Sequence, residues 1–324
     1  MLFELLNDNG TDKKIFMLAL VLLPFLLAFA ALKLGRDILP KDHGKADVAD
    51  GMQSAGKPTG GGVIFVTVFT LVCALLIPMN TERIIYLCAV YLSMLSGFFD
   101  DSAKVPWGRV KKGLLDLVIA VGVAYTYCHF NGSDLHIALL DKTFTLPQWL
   151  YVILGAALVW GSINVTNCSD GVDGLCGSLS IISVGTAALL VHTLSPDGNF
   201  TMMLCVMILC LLAYLWYNAN PSRLLMGDAG SRALGVLIAA AMMKTGSPIL
   251  FLPVCVMLII DGGASLLKIS CIKFLHMKGF MKNITTPIHD HLKKNKKWSA
   301  PQVVFRLAIV QLVVNTALLA ALIF

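Results

Sequence analysis

Apolar residues in this chain come in ten long blocks, and no other feature limits its fold so strongly. The runs lie near 15–34, 61–79, 83–99, 113–130, 148–164, 174–194, 200–217, 232–246, 248–270 and 304–324. A helix needs about 20 predominantly apolar residues to cross the hydrocarbon core of a bilayer. In lipid every backbone N–H and C=O must be paired within the structure, so a run of this length reads as a helix. Composition agrees, with 57% of the 324 residues hydrophobic and 14% charged, where soluble domains carry roughly a quarter charged residues. The fold expected is an all-α, polytopic membrane domain spanning 1–324, with about ten transmembrane helices. Glu4, Asp8 and Asp12 precede the first run instead of a basic segment, which argues against a removable signal peptide. The nine cysteines are scattered without a CxxC pair and read as small hydrophobes in helix packing.

Ten spans divide the basic residues between two faces. One face carries Lys33, Arg36, Lys41, Lys45, Lys57, Lys104, Arg109, Lys111, Lys112, Arg223, Arg232 and the run from Lys268 to Arg306. The other holds Lys13, Lys14, Arg83, Lys142 and Lys244. By the positive-inside rule the first face is cytoplasmic and both termini are external. Four polar clusters then fall on the cytoplasmic face: GFFDDSAK at 97–104, NVTNCSDGVDG at 164–174, YNANPSRLLMGDAGSRALG at 217–235 and TPIHDHLKK at 286–294. One composite site on that face accounts for all four.

Each cluster is ambiguous alone. Asp100 and Asp101 end a span, where carboxylates oppose the helix dipole and repel each other unless a cation or shared proton offsets them. Lys104 follows closely and could hold a phosphate. Asn164, Asn167, Asp170 and Asp173 recur every third residue, so on a regular helix they would spread over half the circumference; Gly171 and Gly174 suggest that the helix breaks there. Asp228 in MGDAGS is suited to a helix cap or to a metal, and Asn218 stands on the connection before it. His289 and His291 lack the further Cys or His partners that zinc requires. The oxygen-rich set of Asp100, Asp101, Asp170, Asp173 and Asp228 favours Mg²⁺, with Mn²⁺ the alternative. The stretch 266–282 mixes Leu, Ile and Phe with lysines, as a helix lying along the inner membrane surface does. A carboxylate-rich metal site at the inner leaflet suits phosphate chemistry. The chain contains no Walker A or GxGxxG sequence, which leaves kinase and ATP-driven transport readings without support.

GFFDDSAKV, NVTNCSDGVDGL, LLMGDAGSRALG and TPIHDHLKK, in this order, resemble the polyprenyl-phosphate N-acetylhexosamine-1-phosphate transferases. GKPTGGG at 56–62 and the PIHDHLKKN segment narrow the resemblance to the phospho-N-acetylmuramoyl-pentapeptide transferase branch. The resemblance implies Mg²⁺-dependent transfer of phospho-MurNAc-pentapeptide from its UDP carrier to undecaprenyl phosphate, giving lipid I and UMP. It implies a ten-helix homodimer in the bacterial cytoplasmic membrane, taking a lipid acceptor from the inner leaflet and a UDP-sugar from the cytosol, with no nucleic-acid partner. By the same resemblance Asp100 is a base for the lipid phosphate, Asp101 belongs to the aspartate pair, and Asp228 binds metal. Asn164, Asn167, Asp170, Asp173 and Asn218 line the nucleotide and metal cleft, and His289 and His291 contribute to nucleotide-sugar binding. Lys57, and Lys111 or Lys112, stand near positions where the branch carries substrate-binding lysines.

The chain departs from the branch pattern at Asp290, in the middle of the histidine triplet, at Lys268, where glutamine is usual, and at Ser54, near the place of a lysine. These departures bear on the sugar. The alternative keeps the chemistry with UDP-GlcNAc or a related donor, as in teichoic-acid or O-antigen initiation. A reading from another class, an ion-coupled transporter built on the same carboxylates, predicts substrate movement without UMP release.

Overall fold

The computed structural model describes residues 13–42, 44, 54–103, 105, 107–277 and 279–323. Ten helical stretches occupy the ten expected positions. They begin with α1 (Lys13–Gly35), α2 (Gly62–Leu76), α3 (Thr81–Asp101), α4 (Arg109–Asn131) and α5 (Gln148–Cys168). There follow α6 (Leu175–Leu194), α7 (Gly198–Asn218) and α8 (Gly227–Lys244). The ninth stretch is broken into α9 (Phe251–Val254), α10 (Val256–Leu258), a π-helical turn Ile259–Gly263 and α11 (Ala264–Lys273). A short α12 (Ile288–Lys294) precedes α13 (Ala300–Ile323). Among the described residues, seven helices are long and apolar enough to cross a membrane, and the ninth stretch makes an eighth if its 73° bend is taken within one span.

The two remaining stretches differ for separate reasons. At 15 residues, α2 is about 22 Å long at 1.5 Å per residue, short of the roughly 30 Å hydrocarbon core. Helix α8 carries Asp228, Arg232 and Lys244, yet every residue from Ala229 to Lys244 is buried. It is the central post of the bundle, packed against α2, α3, α4, α5 and α6. Small residues let its neighbours approach: a Cβ added at Gly97 of α3 would lie 2.4 Å from the Asp228 carbonyl oxygen. Any larger residue there would push apart the two helices that carry the aspartates.

One feature was not expected from the apolar blocks. Between α4 and α5, Asp134–Ile137 (β1) pairs antiparallel with Lys142–Thr145 (β2), Asp134 opposite Thr145. Asp141, with φ of 49°, takes the left-handed turn position that Asp tolerates better than most residues.

The break in the ninth stretch frees backbone groups of residues buried inside the protein, Val254 and Met257 among them. Gln311 of α13 meets this need: its Oε1 accepts from the Met257 N–H at 2.9 Å and its Nε2 donates to the Val254 carbonyl at 2.6 Å. Asn315, one turn further, meets Thr186 Oγ1 of α6 at 2.9 Å. Irregular backbone inside a membrane protein persists where neighbouring side chains satisfy it. After the break the chain turns, and α11 and the following residues expose Leu267, Ile269, Ile272, Phe274 and Leu275 beside lysines. That is the form expected of a segment emerging along the membrane surface.

At the end of α8 far from Asp228, Lys244 Nζ lies 3.1 Å from Glu82 Oε2, 3.1 Å from Asn131 Oδ1 and 3.7 Å from Asp197 Oδ2. Asp197, outside the apolar spans, also binds Arg83 at 2.8 Å and accepts from the Phe200 N–H. Burial pushes its carboxyl up, but the Phe200 N–H, the Arg83 hydrogen bond and the charges of Arg83 and Lys244 outweigh it and hold it below the ordinary carboxylate value. A carboxylate depressed in the folded state stabilises the fold above its ordinary value and loses that contribution as pH falls through the depressed one. Acidification should therefore lower the melting temperature of the wild type through this group, while Asp197→Asn should be less stable at neutral pH and flatter in acid. Gln311→Leu should cost about 1–3 kcal/mol for each buried backbone group left unpaired, read as a lower melting temperature in detergent.

Candidate active site

The α3–α8 contact brings three carboxylates together. One oxygen from each of Asp100, Asp101 and Asp228 lies within 4.8 Å of the other two. Asp100 is buried at the end of α3, with Oδ1 accepting from the Trp107 N–H at 2.7 Å. Asp101 Oδ2 faces the Ala229 N–H at 3.4 Å, in the first turn of α8. Gly227 opens that turn with φ of 72°, a left-handed position that glycine adopts without strain. Three carboxylates at such spacing need a counter-charge. Lys112 supplies one: its ammonium ion-pairs with Asp100 and lies 3.3 Å from Asp228 Oδ2.

Helix phase settles the choice between the two neighbouring lysines. Successive residues on a helix differ by about 100°, and Lys112 faces the carboxylates while Lys111 turns outward to lie 3.4 Å from the centre of the Trp107 ring. One turn beyond Lys112, Asp116 pairs with Arg232, one turn beyond Asp228. Helices α4 and α8 are thus joined by two charge pairs of opposite sense. Arg232, counted from the sequence with the cations of the basic face, is buried within α8.

The NVTNCSDGVDG stretch divides between two tasks. The break expected at its glycines is present: α5 ends at Cys168 and α6 begins after Gly174, whose φ is 86°. Asn167 Nδ2 donates to Asp228 Oδ1 at 2.9 Å and to Ser231 Oγ at 3.0 Å, tying the stretch to the carboxylate cluster. Asp173 faces another way: its Oδ2 accepts from the Ser222 N–H at 3.0 Å and lies 3.6 Å from Lys57 Nζ. Lys57 also donates to Ser222 Oγ at 3.0 Å. Asp170 lies in the turn between them, partly buried.

Two sequence-derived site residues turn out to hold backbone. Asn164 Nδ2 donates to the Trp160 carbonyl of its own helix, because a step of three residues rotates it away from Asn167. Asn218 is buried, accepts from the Gly174 N–H and donates to the Leu224 carbonyl, both at 2.8 Å. It joins the broken-helix turn to the loop leading into α8. His289 is buried, whereas His291 is partly exposed with its Nδ1 3.4 Å from the Thr285 N–H. Asp290 is buried, with Lys294 Nζ 3.8 Å from its Oδ2, so its carboxylate has a cation on its own helix. Lys268 donates to the Ile284 carbonyl at 2.6 Å and anchors the loop before α12. Lys104 lies outside the described residues. Sequence reasoning missed Ser222, Ser231, the Trp107 N–H and the Asp116–Arg232 pair. Of these, Ser231 and Arg232 were signalled by their helical spacing of three and four from Asp228.

The site assembled this way has three carboxylates, a lysine shared between two of them, and, at the other end of the 167–173 turn, a second lysine beside Asp173. It is suited to a divalent cation and a phosphate-bearing ligand. Asn218→Ala should strand a buried N–H and a buried C=O, at about 1–3 kcal/mol each. A fall in melting temperature together with faster proteolysis near 218–226 is the expected readout.

The model for the family described as Glycosyl transferase family 4 matches residues 83–246. A phospho-N-acetylmuramoyl-pentapeptide-transferase of Treponema pallidum subsp. pallidum is 37% identical over 317 residues, covering 92% of this chain and 87% of that protein. The protein of the same name from Clostridium acetobutylicum is 30% identical over 298 residues, covering 87% and 88%. That from Streptococcus pyogenes serotype M49 is 29% identical over 313 residues, covering 89% and 90%. With apolar helices throughout, a carboxylate cluster at one end of the bundle and relatives aligned over nearly its whole length, this chain is a multi-pass bacterial membrane enzyme of the phospho-N-acetylmuramoyl-pentapeptide transferase family.

Proposed function

We propose that this chain transfers phospho-MurNAc-pentapeptide from UDP-MurNAc-pentapeptide to undecaprenyl phosphate, forming lipid I and releasing UMP. The reaction belongs to the cytoplasmic membrane of the cell, with the cleft opening to the cytosol and the protein acting as a homodimer. The observation that carries this reading is the Asp100–Asp101–Asp228 cluster bridged by Lys112, in a chain so similar to proteins of that name.

An oxygen of the lipid phosphate forms the new bond to the sugar-linked phosphorus. The diphosphate bridge breaks, and UMP leaves with its electron pair. Asp100 is the base that takes a proton from a monoprotonated lipid phosphate. Its Oδ1 is held by the Trp107 N–H, which leaves Oδ2, now on Lys112, for the acceptor. Lys112 then follows the phosphate charge that replaces its carboxylate partners. Asn167 and Ser231 hold Asp228 in place, and Lys57 beside Asp173 is placed for the nucleotide-sugar. With Asp100 kept as the base, the carboxylates of Asp101 and Asp228 remain to hold a metal, and oxygen donors fit Mg²⁺, or Mn²⁺ in its stead, over zinc. A cation held by Asp101 and Asp228 would supply charge neutralisation for the diphosphate and for the leaving phosphate.

Purified protein given undecaprenyl phosphate, Mg²⁺ and each labelled UDP-sugar in turn should form lipid-linked product from UDP-MurNAc-pentapeptide. Product from UDP-GlcNAc alone would transfer the chain to the alternative donor, and no UMP from any donor would remove the enzyme reading. Asp228→Asn should fold but lose about 100-fold or more in turnover, the scale of one lost electrostatic stabiliser. Near-normal turnover would take Asp228 out of the metal site.

A further inference from the structure

Asp261 sits in the middle of an apolar run, within the π-helical turn Ile259–Gly263, and is 1% exposed. A buried carboxylate at this depth needs partners, and both of its partners are one residue. Oδ1 accepts from the His289 backbone N–H at 2.7 Å, and Oδ2 lies 2.8 Å from His289 Nδ1. The first bond satisfies an otherwise open N–H in the first turn of α12. The second fixes the ring. Where Oδ2 accepts, Nδ1 carries the ring's proton, so this contact sets the tautomer. His289 is likewise 1% exposed.

The ring's far nitrogen meets the broken-helix turn. A Cβ built on Gly171 would lie 2.3 Å from His289 Nε2 and 2.7 Å from Cε1. Gly171 itself is exposed, so the imidazole backs a stretch of main chain whose other side faces solvent. That stretch runs from Asn167, on Asp228, to Asp173, beside Lys57. The ninth stretch also closes on α5 directly, with Ser169 Oγ 3.3 Å from the Leu258 carbonyl.

We propose that Asp261 is a positioning residue for the donor side of the cleft. It locks the backbone and ring of His289, and the ring seats the Gly171 turn that carries Asp170 and Asp173 toward the nucleotide-sugar. His289 acts from behind the wall, and His291 is the histidine of the pair that is open to ligand. The inference rests on the donor-binding reading given above. An Asn at 261 keeps the size and the acceptor for the backbone N–H, but turns an NH₂ toward Nδ1 and reverses the tautomer. The Ser-His-Asp triad shows the same dependence of a histidine on its carboxylate.

The test uses the full-length protein in detergent, comparing wild type, Asp261→Asn and Asp261→Glu. The KM for UDP-MurNAc-pentapeptide should rise about tenfold or more in Asp261→Asn, the usual cost of losing an orienting partner. The KM for undecaprenyl phosphate should stay within about twofold, and Asp261→Glu should recover part of the loss. Nitrogen-15 spectra of histidine-labelled, substrate-free protein should show His289 with its proton on Nδ1 in the wild type and on Nε2 in Asp261→Asn. Gly171→Ala should raise the donor KM, and the loss should shrink when His289→Ala makes room for the added methyl. Equal loss on both substrates, an unchanged donor KM, or an Nε2–H tautomer in the wild type would each overturn the proposal. A wild type that forms no lipid-linked product overturns the functional reading instead, and the spectra still judge the Asp261–His289 pair.

Discussion

The contact on which this end of the molecule depends is the Lys112 ammonium between Asp100 and Asp228. Without a positive charge there, the tight α3–α8 approach at Gly97 would press three carboxylates together with only the N–H groups of Trp107, Ala229 and Asn167 to offset their repulsion. The approach is possible because Lys112 belongs to a third helix, α4, whose next turn carries the reverse pair, Asp116 with Arg232. That inner pair is buried and keeps the two helices in register. The outer pair lies partly open, where a ligand can compete for it. A site that binds cations and phosphates needs this division, since its own charges must be balanced when empty and available when filled.

A second requirement shapes the rest of the bundle. At three places where the chain leaves or begins regular helix, a side chain takes up the freed backbone groups. Gln311 does so for the break at Val254–Met257, Asn218 for the turn at Gly174 and the loop at Leu224, and Asp261 for the first turn of α12. Two of these ties, through Asn218 and Asp261, lead to the 167–174 turn and the loop and helix packed beside it.

The membrane helices were legible because lipid imposes one simple rule on composition, and the ordered polar motifs announced a site at one end. What could not be read was side-chain direction. Asn164 and Asn167 look equivalent in a three-residue repeat, yet only Asn167 reaches Asp228. Lys111 and Lys112 are adjacent letters, and helix phase alone separates a surface contact on Trp107 from the central counter-charge. Asn218 is ambiguous alone and enters the site only through the family resemblance, and tertiary contact shows it holding backbone on both sides. Asp261 was hidden by its apolar surroundings, since its partner lies 28 residues on. The β1–β2 hairpin is not legible because strands of four residues leave no periodicity long enough to recognise.

Helix α8 is held by charge at both of its ends, with Asp228 on Lys112 at one and Lys244 on Glu82 at the other. Those anchors stand about 24 Å apart along a regular helix, and the residues between them are buried on every side. A helix fixed in this way cannot tilt to follow a change in bilayer thickness. Hydrophobic mismatch must then be absorbed by the lipid or by the outer helices α1, α4 and α13, which carry exposed apolar side chains. The distance from the carboxylates to the far end of the bundle is thereby set by the protein itself, whatever the thickness of the membrane around it.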